Sequence, residues 1–371
     1  MPREVVAVAL RTPAIRDYDD EPLRSGEIRV RTLQAALKHG TELRRFRGED
    51  PSRDARWDRD WRLFVPGSPE PGGFPHPLGN IAVGIVVELG PEVAGVALGE
   101  RVAGYGPLRG TQRWAWGTPG AYPGVRKMPP RMSWQEAVCL DPATVALGGI
   151  RDGHVRLGDR VAVFGLGAIG LMAVQLARLA GASFVVGADP IARRREAARE
   201  TGADLVIDPF SADAGLEVKR ATDRKGVDVA VETSGSARAL HQAVRGLAFG
   251  GTVAITAHCD EFRGGLDLGR EAHQNRPTFV FTRAESEPHR DHPRWDNRRL
   301  ADAAWELLAS GRLACERIVQ PVVSLDRAVD AIREVDEHPE RGVKLGVDFT
   351  DEQPVPADGR PHARDRVERG A

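Results

Sequence analysis

Cysteine is scarce. The 371 residues include three, Cys139, Cys259 and Cys315, and none forms a CxxC pair. A disulfide framework and a four-cysteine zinc lobe are both excluded, and the scarcity reads as a reduced, cytoplasmic protein. A charge excess is also missing. Lys and Arg total 52 against 53 Asp and Glu, a net charge of −1. Nucleic-acid binders carry a clear basic surplus, so no such partner is expected. No apolar run reaches the roughly 18 residues of a membrane span, and the opening MPREVVAVAL lacks a signal-peptide pattern. Disorder of the whole chain is excluded as well, because 41% hydrophobic and 28% charged residues are near globular averages.

What is present divides into two textures, and about two domains fit a chain of this length. The early part is rich in Gly and Pro, with strand-type runs at 5–10, 27–33, 84–89 and 101–103. No long helical period precedes Ser133. From Asp159 the runs VAVFGLG, FVVGAD, ADLVID, VDVAVET and GTVAIT alternate with helix-type stretches, the pattern of buried parallel strands in βαβ units. Later come a helix near 298–310, a strand at 318–323, a helix near 325–336 and a strand at 343–349. The polar segment 351–371 has little to bury and reads as a flexible tail.

The strongest motif follows the first of those runs. Strand 161–164 leads into Gly165-Leu166-Gly167-Ala168-Ile169-Gly170 and then a helix. The first glycine makes the tight turn, Gly167 lets the backbone approach a pyrophosphate, and Gly170 lets helix pack on strand. The helix N-terminus offers free N–H groups to the phosphate. A second strand, 184–188, ends in Asp189, close to 20 positions on, where a carboxylate can hold ribose hydroxyls. That carboxylate repels a 2′-phosphate, so NAD is expected over NADP. Arg193, Arg194 and Arg195 read as a solvated helix face, with Arg194 counted among the cofactor contacts.

An insertion at 49–77 carries Trp57, Trp61 and Phe64 among arginines. It reads either as a wall of the substrate pocket or as a surface loop pinned by its tryptophans.

These pieces, with LKHGTELRRFRG, PLGNIAVGIVVELG, LGERV, EAVCLDPATVAL, GADLVID, GVDVAVETSG and HPERGVKLGVDF in that order, resemble the medium-chain dehydrogenase/reductase superfamily, in particular its polyol and sugar dehydrogenases. The resemblance covers about residues 1–350. It implies an α/β chain: a GroES-like β-rich catalytic domain (1–148), a doubly wound parallel-sheet Rossmann domain (149–284), a return to the catalytic domain (285–350) and the tail. It further implies a cleft active site between the two domains, a cytoplasmic homodimer or homotetramer, and a small alcohol or ketone as substrate.

The zinc-binding members of that family have a Cys before the Gly-Thr pair, a Gly-His-Glu, and an acidic residue before proline. Here those positions read His39 before Gly40-Thr41, then Gly79-Asn80-Ile81, then Asp141-Pro142. His39 and Asp141 remain possible ligands, and Glu42 would have to swing in as a third. Asn80 offers only a neutral amide oxygen. No catalytic metal is therefore expected. Without zinc a side chain must take the alcohol's proton, and His39, ordinarily near neutrality, is the first candidate. Asp141 would orient its other ring nitrogen. By resemblance Thr41 would relay the proton, and Lys38 would tune His39 or act itself. Glu42, Asn80, Trp57 and Trp61 are expected to border the substrate. The reaction expected is hydride transfer between NAD and a secondary alcohol or ketone of a polyol, sugar or cyclitol. A zinc-free enoyl or quinone reductase using NADPH, and a non-catalytic dinucleotide-binding protein, are the competing readings.

Overall fold

The computed structural model describes residues 1–49, 55–66, 73–117, 124–259, 262–283 and 289–352. The chain opens with β1 (Arg3–Ala9), β2 (Thr12–Asp17) and β3 (Glu27–Ala36), then the short helix α1 (Thr41–Arg47). A two-stranded hairpin follows, β4 (Ala55–Asp58) with β5 (Leu63–Pro66). Next come β6 (His76–Pro77), β7 (Ile81–Leu89), β8 (Arg101–Tyr105), β9 (Thr111–Ala115) and β10 (Arg126–Lys127). Along β3 every second residue from Ile28 to Thr32 is buried, the alternation of a strand with one face on a core. Register shifts against β7 bend it as it approaches the cleft. Helix α1 hangs from this core by Leu43 and Phe46, which are almost fully buried.

Helices α2 (Trp134–Val138) and α3 (Leu140–Asp152) lead to the second sheet. Its units are β11 (Arg160–Phe164), α4 (Ala168–Leu179), β12 (Phe184–Ala188), α5 (Ala192–Glu200), β13 (Leu205–Ile207) and α6 (Ala214–Ala221). Then follow β14 (Val227–Glu232), α7 (Ala237–Gly246), β15 (Leu247–Ile255), α8 (Glu271–Asn275) and β16 (Thr278–Phe281). The six strands are parallel, in the order β13-β12-β11-β14-β15-β16. The order reverses between β11 and β14, and ligands of such sheets bind at that switch point. The expected α/β architecture is therefore present: a β-rich domain and a doubly wound parallel sheet.

Helix α9 (Asn297–Ala309) packs on α3, and the chain rejoins the first sheet through β17 (Val322–Ser324), α10 (Ala328–Glu337) and β18 (Gly346–Asp348). The first sheet runs β10-β8-β7-β3-β18-β17, with β9 also on β3. Both late strands are shorter than their apolar runs suggest. Pro321 has no N–H to donate, so pairing starts only at Val322. Leu345 stays out of the ladder because it gives its backbone N–H to the site described next. Residues 353–371, most of the expected tail, lie outside the described residues.

Candidate active site

The glycine turn is built as its spacing requires. Gly165 has φ +89, and a Cβ there would come within 2.8 Å of the Ser234 Cβ. At Gly170 a Cβ would lie 1.9 Å from the Gly165 carbonyl oxygen, so helix α4 could not pack on β11. Gly167, by contrast, faces open space, and as N-cap of α4 it has no side-chain cap. Uncapped N–H groups therefore face the cleft, where a pyrophosphate would sit. Ala168 and Ile169 also line the cleft, whereas the Leu166 side chain is fully buried and only its backbone belongs to the turn.

Asp189 directly follows β12 and lines the same cleft. Its carboxylate accepts from Leu166 N–H at 2.7 Å and Ile191 N–H at 2.8 Å. It thus braces the glycine turn, and each oxygen keeps a further lone pair for a ribose hydroxyl. Of the three arginines that follow, Arg193 is exposed and Arg194 and Arg195 are half-buried, and all three have partners. Arg193 donates to Arg341 O at 3.0 Å and to Gln320, and Arg194 donates to Pro339 O at 3.1 Å. Arg195 donates to the Asp189 and Pro190 carbonyls and pairs with Asp208. The first two tie α5 to the returning chain, which the sequence could not show because their partners lie well over 100 residues away.

The cleft between the two sheets has a volume of about 1220 Å³. Lys38, His39, Thr41, Asp141 and Lys344 line it from the β-rich side, opposite the glycine turn. Lys38 Nζ donates to Asp141 Oδ1 at 2.9 Å, and Tyr105 Oη donates to the same oxygen at 2.5 Å. Asp141 is 3% exposed. Burial opposes its ionisation, but Lys38, Lys344 and the Tyr105 hydrogen bond outweigh this and hold the carboxyl below its ordinary value. Lys344, also 3% exposed, donates to Leu37 O at 3.0 Å and Asn80 Oδ1 at 2.9 Å. Burial pulls its pKa down, and the charge on Lys38 adds to the effect.

Several expected roles change. The His39–Asp141 pair is not formed, because the Asp141 carboxylate is engaged by Lys38 and Tyr105. His39 Nε2 instead accepts the Leu345 backbone N–H at 2.8 Å. Enclosure by protein, then the positive charges of Lys344, Arg194 and Arg47, lowers its pKa from 6.5 to about 3. A ring so hard to protonate is a poor proton acceptor near neutrality. Glu42 does not border the cleft, and it cannot swing in as a ligand without leaving two donors unpaired. Its carboxylate accepts from Lys38 N–H at 2.7 Å and Gly79 N–H at 2.6 Å. Burial nevertheless pushes its pKa up to about 7. Asn80 lies behind Lys344 rather than on the cleft surface. Of the insertion, Trp57 lines the cleft, while Trp61 at the hairpin tip is 75% exposed and does not. Phe64, the cross-strand partner of Trp57, takes its place, with ring centroids 5.1 Å apart. Thr41 keeps its expected position in the cleft.

Tyr105 and Lys344 were missed by sequence reasoning. Tyr105 closes an ordinary strand, and Lys344 is one basic residue in HPERGVKLGVDF, so neither carried a local signal. Among the described residues no group of three His, Cys, Asp or Glu side chains could hold a metal ion. The positions a zinc would use do not fit one. Their acceptors already serve N–H and O–H donors, and two ammonium groups stand where a divalent cation would need negative charge.

Comparison with known proteins agrees with this architecture. Residues 168–279 match the family model described as zinc-binding dehydrogenase. D-guloside 3-dehydrogenase of Escherichia coli K12 is 44% identical over 352 residues, covering 94% of this chain and 100% of that protein. The crystal structure of 2R,3R-butanediol dehydrogenase from Bacillus subtilis superposes with a TM-score of 0.72 at 19% identity, covering 94% of this chain and 99% of that one. A Sinorhizobium meliloti protein crystallised with NADP superposes with a TM-score of 0.73 at 22% identity over 94% and 99% of the two chains. With a dinucleotide turn at the switch point, a charged cluster facing it across the cleft and full-length kinship to a sugar-derivative dehydrogenase, the chain belongs to the medium-chain, zinc-type dehydrogenase superfamily, whose members are NAD(P)-dependent oxidoreductases.

Proposed function

We propose that this dehydrogenase oxidises a secondary hydroxyl of a sugar derivative to a ketone, at ring carbon 3 of a glycoside, with NAD as hydride acceptor. The observation that carries the reading is the 44% identity to D-guloside 3-dehydrogenase along the whole of that protein. The cleft supports it. At about 1220 Å³ it exceeds the roughly 300–1,000 Å³ of a site for one small molecule, so dinucleotide and sugar can lie side by side. Trp57 and Phe64 offer aromatic surface for the apolar C–H face of a pyranose, and the buried charged cluster behind Lys38 suits a polar hydroxyl. Asp189 favours NAD, because a 2′-phosphate beside its carboxylate would be repelled.

Incubating the protein with NAD or NADP and a set of methyl glycosides of gulo, gluco and galacto configuration tests this. Formation of NADH by absorbance and of a 3-keto glycoside by NMR is expected. Oxidation confined to another carbon, or turnover only of enones with NADPH, would replace this reading with a different one.

A further inference from the structure

The disagreement between these residues and a metal raises the question of what meets the reacting oxygen. We propose that the Lys38 ammonium takes the place of the zinc ion: held by Asp141, it hydrogen-bonds the substrate oxygen and exchanges its proton, with Tyr105 and Lys344 as positioning residues. The proposal rests on the dehydrogenase reading of the cleft and names the group that does the proton chemistry there.

Each alternative is weakened by geometry. His39 Nε2 is engaged by the Leu345 N–H. Glu42 accepts from two backbone donors and does not border the cleft. Tyr105 also stands back from it and points its hydroxyl at Asp141. Lys344 does border it, yet its ammonium is buried and already serves Leu37 O and Asn80 Oδ1. Lys38 differs from all of these. Its side chain is 28% exposed, it lines the cleft, and it makes one side-chain hydrogen bond, to Asp141. An ammonium has three N–H donors, so two remain for a substrate.

In the reductive direction the hydride and the proton reach the two ends of the carbonyl from different groups. A dihydronicotinamide dinucleotide held at the Gly165–Gly170 turn would supply the hydride to the carbonyl carbon and would be left oxidised. The C=O π pair moves to oxygen and takes a proton from Lys38 Nζ, which is left a neutral amine beside Asp141. Bulk solvent, which reaches the 28% exposed side chain, supplies the proton that restores the ammonium. Oxidation is the reverse: the neutral amine takes the hydroxyl proton as the C–H hydride leaves for NAD⁺. A zinc ion would stabilise the alkoxide by its charge, and the ammonium supplies positive charge at the same oxygen. Tyr105 and Lys38 share one carboxylate oxygen, which fixes where the ammonium can sit. Lys344 anchors Asn80, so that amide cannot turn toward a metal.

The test uses the full chain with methyl glycosides, NADH fluorescence and elemental analysis. Lys38→Met should lower kcat by roughly 10²- to 10⁴-fold, the usual share of acid–base catalysis, with NADH affinity unchanged. Lys38→Arg should recover part of the reductive rate, since a guanidinium can hold the oxygen. Tyr105→Phe should lower kcat about tenfold and leave KM in place, which a merely structural role would not do. Purified protein should hold far less than one zinc per chain, and calorimetric titration with zinc chloride should show no tight site. Full activity in Lys38→Met, or one tightly held zinc per chain that is lost in Asp141→Asn, would overturn the proposal. Should no glycoside be turned over by the native protein, the substrate reading fails instead. The zinc titration then decides alone, absence of binding supporting the proposal and one equivalent overturning it.

Discussion

At the scale of single residues, the chain placed its chemistry where the sequence put it but paired it differently. Lys38, His39, Thr41 and Asp141 do converge on the cleft, which four residue types in two short segments could suggest. The imidazole is instead taken by the N–H of Leu345, the residue just before β18, from more than 300 residues away. The consequence for His39 can be measured. Its folded pKa of about 3 lies below the ordinary 6.5, so the folded state binds fewer protons than the unfolded one between those values. Stability then rises with pH through that window and is lost as acid is added. His39→Gln keeps an acceptor for the Leu345 N–H and removes the titration. Melting followed from pH 7 to pH 3.5 should show a smaller loss in the variant than in the native protein, with kcat within about tenfold at neutral pH. An equal acid loss in both would place the titration elsewhere. Glu42 acts in the opposite sense. Its folded pKa of about 7 exceeds the ordinary 4.5, so its contribution weakens stability as pH rises from 4.5 to 7. The His39 comparison is therefore best made as a difference between native and variant.

Secondary elements were legible where their pattern was local. The glycine turn with its strand and helix, and the alternating parallel strands, followed from runs of Val, Ile and Ala and from glycine spacing. The shortfalls have physical causes. Helix α1 has seven residues, too few to show a helical period, and hairpin β4–β5 lies in an insertion where charge masks alternation. At the glycine turn, Gly170→Ala would drive its methyl into the Gly165 carbonyl at 1.9 Å. Backbone atoms cannot move aside as a side-chain end can, so α4 must shift from β11. The expected result is a lower melting temperature and NADH affinity weakened at least tenfold by fluorescence. Unchanged affinity would mean the helix can shift without disturbing the phosphate site. On the hairpin, Trp57→Ala should raise KM for a glycoside severalfold and change kcat little, because Trp57 contributes cleft surface and no group to proton transfer. Trp61→Ala, at the exposed tip, is its control.

Over the whole molecule, the feature no local pattern carried is how the two sheets are held to face each other across the cleft. Arg44 of α1 donates to His258 O on the dinucleotide side, and Arg193 and Arg194 of α5 reach carbonyls at Arg341 and Pro339 on the returning chain. Read alone, the three consecutive arginines resemble any solvated helix face, so the sequence could indicate two domains and a cleft but not the straps between them. Two neighbouring arginines separate strapping from cofactor binding. Arg194 lines the cleft and adds positive charge at His39, and its Nε is buried without a hydrogen-bond partner. Arg193 makes similar contacts to the returning chain but does not line the cleft. Arg193→Ala should therefore cost about 1 kcal/mol of stability, the usual worth of a hydrogen bond, and leave NADH affinity unchanged. Arg194→Ala should cost a similar amount, weaken NADH about tenfold and flatten the dependence of affinity on salt, because the positive charge 3.7 Å from the Asp189 carboxylate has gone from the cleft. Equal effects of the two substitutions on NADH binding would mean that the cleft responds to domain attachment alone, and that Arg194 does not meet the cofactor.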